Sequence, residues 1–363
     1  MTARHGLKEK FLPHKQSFSR QQESTLLAND SSKLRPQRVR VSVSQRHVPT
    51  VLRPSRPCVL AGVLVWIAAT TQIGVVAGQR EGQDPRGRIR SEVSLVGTLA
   101  SVLDKDGRPA LDLAQDQFEI YDEGVKQKIE IFEPETQQPL DLTLMIDSSL
   151  SEIKDLEFET EAAARFIQRL VRPGDRMAIY EFADNVTQIA AFTSNVPTLQ
   201  AALKHIVPGD GTALYDAVYL GAQALERNPS GRRRVIVLVT DAGETTSRAD
   251  FETARRAALR ADALLYTIVV RVVKNEGGRN TAGEHALETI ADSTGGATYF
   301  PNSAGELGEM FDRIDRELRT QYRLGYYPNP RPPDGTYRAL EVRVKCECKV
   351  RSRKAYYSGG HLD

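Results

Sequence analysis

Cysteine is nearly missing from this 363-residue chain, which has three. Cys58 stands at the head of an apolar run, so only Cys346 and Cys348 remain in the body of the protein. Two thiolates alone are an incomplete zinc set. In a strand the pair would share one face. A local disulfide, a soft-metal site or two unpaired small side chains are the readings open to it, and the last is the expectation. Histidine is equally thin: His5, His14, His47, His205, His285 and His361 are scattered, with no pair at ligand spacing. No window repeats at a fixed period, which excludes a solenoid or propeller. There is no G-x-S-x-G elbow and no phosphate-cradling G-x-x-x-x-G-K-[ST] loop. A phosphotransferase using Asp147 as nucleophile would want a second carboxylate two residues on, where Ser149 stands. No general base is evident, so the chain is expected not to be an enzyme.

Net charge is also small, +2, but it conceals an asymmetry. Residues 1–57 hold 12 Lys/Arg against 3 Asp/Glu, whereas residues 79–363 hold 37 basic and 44 acidic groups. The mildly acidic body excludes non-specific nucleic-acid binding. Residues 1–50 are polar and aperiodic and read as disordered, with translation starting near Val51 as one hypothesis. Residues 58–78, CVLAGVLVWIAATTQIGVVAG, lie between Arg56 and Arg80 and carry no charge. A basic flank, an apolar stretch and small residues at Ala77 and Gly78 make an export signal, although the run is long enough to be an uncleaved anchor. The protein is therefore expected outside the cytoplasm, periplasmic or secreted. Any membrane contact would be through this segment.

Beyond the polar linker 79–90, β-type segments are expected at Val93–Leu103, Phe118–Asp122 and Lys128–Phe132. Turns fall between them at Asp104–Arg108 and Glu123–Gly124. From Leu140 the pattern changes. Short apolar runs at Leu142–Ile146, Met177–Phe182, Val235–Val239, Leu264–Val270 and Thr298–Phe300 alternate with helical spacing. The helices are expected over Phe158–Leu170, Thr198–Ile206, Leu214–Arg227, Asp250–Ala261, Glu284–Thr294 and Glu306–Thr320. Thr187–Phe192 should form an edge hairpin with Met177–Phe182. Such alternation implies an α/β fold, a doubly wound, mostly parallel sheet covered on both faces. The pattern returns to β at Tyr322–Tyr327, Tyr337–Val344 and Val350–Tyr356. The economical arrangement is an α/β domain, 138–320, inserted in a small antiparallel β-sandwich built from 90–137 and 321–357.

Open parallel sheets bind ligands beyond the carboxyl ends of their strands. Three loops at that edge carry oxygen donors: Asp147-Ser148-Ser149-Leu150-Ser151, Gly209-Asp210-Gly211-Thr212 and Thr240-Asp241-Ala242-Gly243-Glu244. Asp147, Ser149, Ser151, Thr212 and Asp241 together form a hard, oxygen-only set. It suits Mg²⁺, with Mn²⁺ or Ca²⁺ as alternatives, and not zinc or copper. Leu150, Gly211 and Glu244 would form the rim facing a partner. The bland reading is that Ser149 or Ser151 merely caps the following helix. Asp210 and Asp216 read as turn or helix-surface residues, Asp184-Asn185 as a hairpin tip, and Arg232-Arg233-Arg234 as a solvated lead-in to a strand.

The D-x-S-x-S run at 147–151, the Thr212 of a Gly-rich loop and the T-D at 240–241 resemble the metal-ion-dependent adhesion site of von Willebrand factor type A domains. The flanking β segments resemble bacterial exported proteins of the VWFA-related type. The resemblance implies a Rossmann-like domain in which Ser149, Ser151 and Thr212 ligate a divalent cation directly, and Asp147 and Asp241 directly or through water. It also implies an adhesion-type module whose cation takes up an Asp or Glu of a partner protein. A scaffold with a vestigial site, or a Mg-dependent hydrolase, are the alternatives. Two positions depart from the family pattern, Leu150 and Ala242, where glycine is usual.

Overall fold

The computed structural model describes residues 95–134, 137–149, 156–228, 231–270 and 280–358. The basic head, the apolar run 58–78, Leu150 and Ser151 lie outside them. Among the described residues no helix is long and apolar enough to cross a membrane.

Four short strands come first: β1 (Val96–Leu103), β2 (Phe118–Asp122), β3 (Val125–Gln127) and β4 (Ile131–Glu133). The α/β unit follows as β5 (Leu140–Asp147), α1 (Leu156–Leu170), β6 (Arg176–Phe182), β7 (Val186–Thr193), α2 (Val196–Ala202) and α3 (Leu214–Glu226). It continues through β8 (Arg233–Thr240), α4 (Phe251–Arg260), β9 (Ala263–Val269), α5 (Thr281–Thr294), β10 (Ala297–Tyr299) and α6 (Leu307–Arg319). The chain closes with β11 (Tyr322–Tyr326), β12 (Tyr337–Val344), β13 (Lys349–Ser352) and β14 (Ala355–Tyr357).

The central sheet has the order β10-β9-β8-β5-β6-β7, parallel except for the antiparallel edge strand β7. Its middle strands are apolar on both faces because helices cover both. Leu142, Leu144 and Ile146 of β5, with Val235, Val237 and Val239 of β8, pack under α1, α2 and α6. Met145, Ile236 and Leu238 point the other way, under α3, α4 and α5. Strand order reverses between β5 and β8, which places the topological switch point, and any ligand crevice, beyond Asp147 and Thr240.

The flanking strands form two further sheets, β13-β1-β11-β4 and β14-β12-β2-β3. Val96, Ala100, Phe118, Ile120, Tyr322, Leu324, Leu340 and Val342 share one core between them. Val96 opposes Tyr326 and Ile120 opposes Val342, so residues before and after the α/β unit pair directly. The α/β domain is thus inserted in a small antiparallel sandwich.

Two expected strands break where the chain changes sheets. Lys128–Phe132 is a strand only from Ile131: residues 128–130 carry the chain from β3, which pairs with β2, to β4, which pairs with β11, and Ile129 is buried between them. Val350–Tyr356 likewise divides into β13, which pairs with β1, and β14, which pairs with β12. Alternation in sequence does not distinguish a continuous strand from one that turns a sandwich corner.

The sandwich meets the α/β unit at the amino edge of the central sheet. Glu317, near the end of α6 and 3% exposed, accepts from the Tyr266 and Tyr299 hydroxyls, both at 3.1 Å, and from Arg351 of β13 at 2.7 Å. Burial and the Glu317 charge push both tyrosine hydroxyls well above their ordinary value. Arg232, Arg233 and Arg234 are not a solvated lead-in. Arg233 is buried and donates to Leu318 O at 2.7 Å and Gln321 Oε1 at 3.0 Å, with its pKa lowered by burial to about 10. Arg232 and Arg234 donate to Gly174 O and Ala261 O. Arg233, which also donates to Gln138 O at 3.1 Å, ties the entrance of the inserted domain to its exit. An isolated basic triplet carries no sign of the carbonyls that will meet it.

Cys346 and Cys348 are joined as a disulfide, which corrects the expectation of two unpaired side chains. They lie in the bend between β12 and β13, where the chain crosses from one sheet of the sandwich to the other, and not within a strand. The bend brings their Cα atoms to 5.3 Å, closer than the roughly 6.6 Å between alternate residues of a strand, so the two sulfurs can meet.

Candidate functional site

Strand β5 ends in Asp147, whose side chain is fully buried. Thr240 Oγ1 donates to its Oδ2 at 2.6 Å, and the Ser149 amide donates to its Oδ1 at 3.0 Å. The Ser149 hydroxyl also bonds to it. Every one of these donors is neutral. Burial, opposed by these bonds and reinforced by the nearby Asp241 charge, raises the Asp147 carboxyl to about 6. A buried anion held only by neutral donors, with a second carboxylate near, is the electrostatic situation that a cation relieves.

The three loops are stitched to one another by backbone. Ser148 N donates to Phe182 O at 2.9 Å, Gly209 N to Ser148 O at 3.0 Å, and Ser149 bridges to Gly209 in parallel register. Thr212 N donates to Thr245 Oγ1 at 2.8 Å, and Thr245 N returns a bond to Thr212 O at 2.9 Å. Gly211 is buried where a Cβ would come within 2.6 Å of Asp184 Oδ1 and Thr246 Cγ2, so no larger residue fits. Asp241 Oδ1 accepts from Gly243 N at 2.7 Å. A Cβ on Gly243 would stand 2.9 Å from Asp241 Oδ1, 3.4 Å from Thr212 Oγ1 and 3.6 Å from Asn280 Nδ2, so these groups surround one point.

Asp147, Ser149, Thr212 and Asp241 are therefore gathered at the switch point. Asp147, Ser149 and Thr212 are buried, while Asp241 is half-exposed at the mouth. Ser151 and Leu150 lie outside the described residues. Among those described, no group of three or more His, Cys, Asp or Glu could hold a metal. What fits a hard cation here is a mixed carboxylate and hydroxyl set.

Glu244 accepts from Ser247 N at 2.9 Å, Ser247 Oγ at 2.6 Å and Tyr215 N at 3.1 Å. It ties the third loop to the first turn of α3. Asp216 accepts from Arg248 N at 3.1 Å and Ala249 N at 2.8 Å, so it too braces this loop and is more than a helix-surface charge. Asp184 accepts from Asp210 N at 3.0 Å, linking the edge hairpin to the Gly-rich loop. Sequence reasoning named Thr240 in the T-D pair without giving it a role, and missed Asn280. Thr240 carried a usable signal, being the one hydroxyl at the end of an otherwise apolar run. Asn280 precedes α5 after a segment whose pattern gives no register.

Ala242 has φ +64°, a left-handed conformation that disfavours any Cβ. Glycine is usual there in the family resembled for this physical reason. Ala242→Gly would relieve about 1–2 kcal/mol of backbone strain and forfeit about 0.8 kcal/mol of methyl burial. The expected outcome is a net gain below about 1 kcal/mol, read as a small rise in melting temperature.

The Asp147 shift sets a second expectation. Its folded-state value, about 6, lies above the ordinary 3.8, so the folded protein holds the proton more tightly. In chelator-treated protein this contribution is complete below pH 4, falls as pH rises to about 6, and is flat above. The loss amounts to about 3 kcal/mol. Urea midpoints measured across this range in EDTA should fall with rising pH, and Asp147→Asn should flatten the profile.

Residues 142–244 match the family model described as von Willebrand factor type A domain. No curated protein matches the chain in sequence. Among solved structures, the chain is similar to the conserved hypothetical protein BatB from Bacteroides thetaiotaomicron, at 17% identity over 50% of this chain and 100% of that one, TM-score 0.40. The vWF domain of the type V pili tip protein Mfa5 from Porphyromonas gingivalis is 12% identical over 50% of this chain and 96% of its own, TM-score 0.43. A von Willebrand factor type A protein from Catenulispora acidiphila is 11% identical over 73% of each chain, TM-score 0.44.

Proposed function

We propose that the von Willebrand factor type A domain matched within this chain is a metal-dependent protein-binding module of the adhesion type, acting outside the cytoplasm. The observation that carries this reading is the convergence of a buried, neutral-donor-bound Asp147 with Ser149, Thr212 and Asp241 at the switch point of the sheet. Asp147, Ser149, Thr212 and Asp241, with Ser151, would hold Mg²⁺, or Mn²⁺ or Ca²⁺ in its place. Bound there, the cation supplies an electrophilic position open to a carboxylate oxygen.

The chain's own residues do the remainder. Thr240 fixes the Asp147 oxygens so that they need not reorganise. Half-exposed Asp241 marks the side from which a partner's Asp or Glu would enter, and the loops carrying Leu150, Gly211 and Glu244 would set which partner fits. Charge complementarity with the acidic body then requires the cation, because an acidic partner would otherwise be repelled. The apolar run 58–78 and the Cys346–Cys348 disulfide both support an oxidising, extracytoplasmic setting.

The test is capture from an envelope extract on the immobilised protein, with Mg²⁺ and with EDTA, beside Thr212→Ala. The same partner should be retained in Mg²⁺, released by EDTA and absent from Thr212→Ala. EDTA-insensitive capture would remove the metal from the mechanism. Left-handed Ala242 favours one second reading, a scaffold whose site has lost affinity. Calorimetric titration with Mg²⁺ and Mn²⁺ that shows no heat of binding would select it, whereas binding accompanied by phosphatase activity would select a hydrolase.

A further inference from the structure

We propose that the Cys346–Cys348 disulfide is a thiol–disulfide exchange site, open to attack by the thiolate of a small-molecule thiol or of a dithiol protein. The bridge spans a single residue, Glu347, and so closes one of the shortest loops a disulfide can close. Loop-closure stabilisation grows with the number of residues enclosed, so a staple placed here restrains the unfolded chain very little. No other cysteine occurs among the described residues to compete for pairing. Cys346 and Glu347 are exposed, whereas Cys348 is half-buried against the sandwich core. An incoming thiolate therefore reaches the Cys346 sulfur first.

The charges around the bridge favour the reaction. Lys345 and Lys349 flank it on either side in the run Lys345-Cys346-Glu347-Cys348-Lys349. The intervening Glu347 is already ion-paired with Lys105. Lys345 Nζ donates to Asp116 O at 3.1 Å, a neutral partner that leaves its charge in place. Positive charge next to a cysteine stabilises its thiolate, and a better leaving thiolate departs faster. The backbone on both sides is held independently of the bridge. Lys345 N donates to Gln117 O at 2.9 Å, and Lys349 pairs with Leu103 in the β13–β1 ladder. Opening the disulfide should thus leave both strands in register.

The step balances without further reagents. A thiolate attacks Cys346 Sγ, the Cys346–Cys348 bond breaks, and Cys348 leaves as a thiolate that takes up a proton. The mixed disulfide on Cys346 is then resolved by a second thiol of the attacking molecule, or by a second molecule. Two thiols are oxidised to one disulfide as Cys346 and Cys348 become two thiols. The bridge can equally accept the reverse reaction and be re-formed by a disulfide donor. This inference is independent of the metal reading, since the bridge lies in the sandwich and the cation site at the far edge of the inserted sheet.

The test is a titration of the intact, folded protein with reduced and oxidised glutathione in varying ratio. Free thiols are trapped with a maleimide, counted by mass spectrometry, and compared with circular dichroism on the same samples. The expected result is reversible opening without denaturant, a glutathione adduct at Cys346 as intermediate, and an unchanged spectrum. Replacing both lysines, Lys345→Gln with Lys349→Gln, should slow opening about threefold or more. A bridge that opens only in denaturant, an opening that unfolds the protein, or cysteines that stay reduced under oxidised glutathione would each overturn the proposal.

Discussion

Asp147→Asn is expected to abolish the response of the protein to divalent cations while leaving its fold in place. In the wild type, Mg²⁺ at 100 times its dissociation constant should add about 2.7 kcal/mol to stability. The asparagine oxygen can keep the bond from the Ser149 amide while its NH2 donates to the Thr240 hydroxyl, which then accepts where it had donated, and the buried charge is removed. Affinity should fall about 100-fold or more, equivalent to about 2.7 kcal/mol, and the Mg²⁺-dependent rise in melting temperature should vanish. The metal-free variant should be no less stable than metal-free wild type at pH 7.5, because a desolvated anion has been neutralised. An asparagine variant that Mg²⁺ stabilises as strongly as the wild type would sink the assignment of Asp147. One destabilised without metal would instead show a structural role.

The second large effect lies at the opposite end of the domain. Glu317→Ala leaves the Tyr266 and Tyr299 hydroxyls and the Arg351 guanidinium without their shared acceptor. Removing one partner of a buried charged network costs about 3–5 kcal/mol, much of it from the cation left behind. Arg351 belongs to the sandwich and the tyrosines to the inserted sheet, so the loss should appear as weakened coupling between the two parts. Urea unfolding should shift to a lower midpoint and separate into two transitions. Glu317→Gln should cost less, because it still accepts from the tyrosines. A loss below about 1 kcal/mol for the alanine variant would mean that apolar contacts alone hold the interface.

The α/β unit was readable because its signals are redundant. The run Val235–Val239 grows by only a few residues into β8, and the helix expected over Asp250–Ala261 is α4, Phe251–Arg260, with Asp250 as its cap. Order and spacing also put Asp147 and Asp241 at the carboxyl ends of two apolar runs and Thr212 in the loop before a helix, whereas the strand order that makes β5 and β8 neighbours is seen only in the structure. What could not be read depends on groups far apart in sequence. Arg233 finds Leu318 and Gln321 across 85 residues or more, and nothing local distinguishes it from an exposed arginine. Glu244 and Asp216 look like surface charges until the amides they accept from are in place. The disulfide was left as one of three readings because nothing local to two cysteines one residue apart shows the bend that brings their Cα atoms to 5.3 Å.

The inserted arrangement also orders events in time. β1 finds its partners in β11 and β13, on chain made only after the whole α/β unit, as the pairing of Val96 with Tyr326 shows. A ribosome or an export channel delivers the first strands long before those partners exist. Closing so long a loop is costly unless the intervening chain has already compacted. The α/β unit, whose parallel strands are joined by local helices, would then fold first, and Arg233 would bring its two ends together. The sandwich would assemble last, with the newest strands completing a sheet begun by the oldest. In pulsed hydrogen exchange, the amides of β8 should gain protection before those of β1.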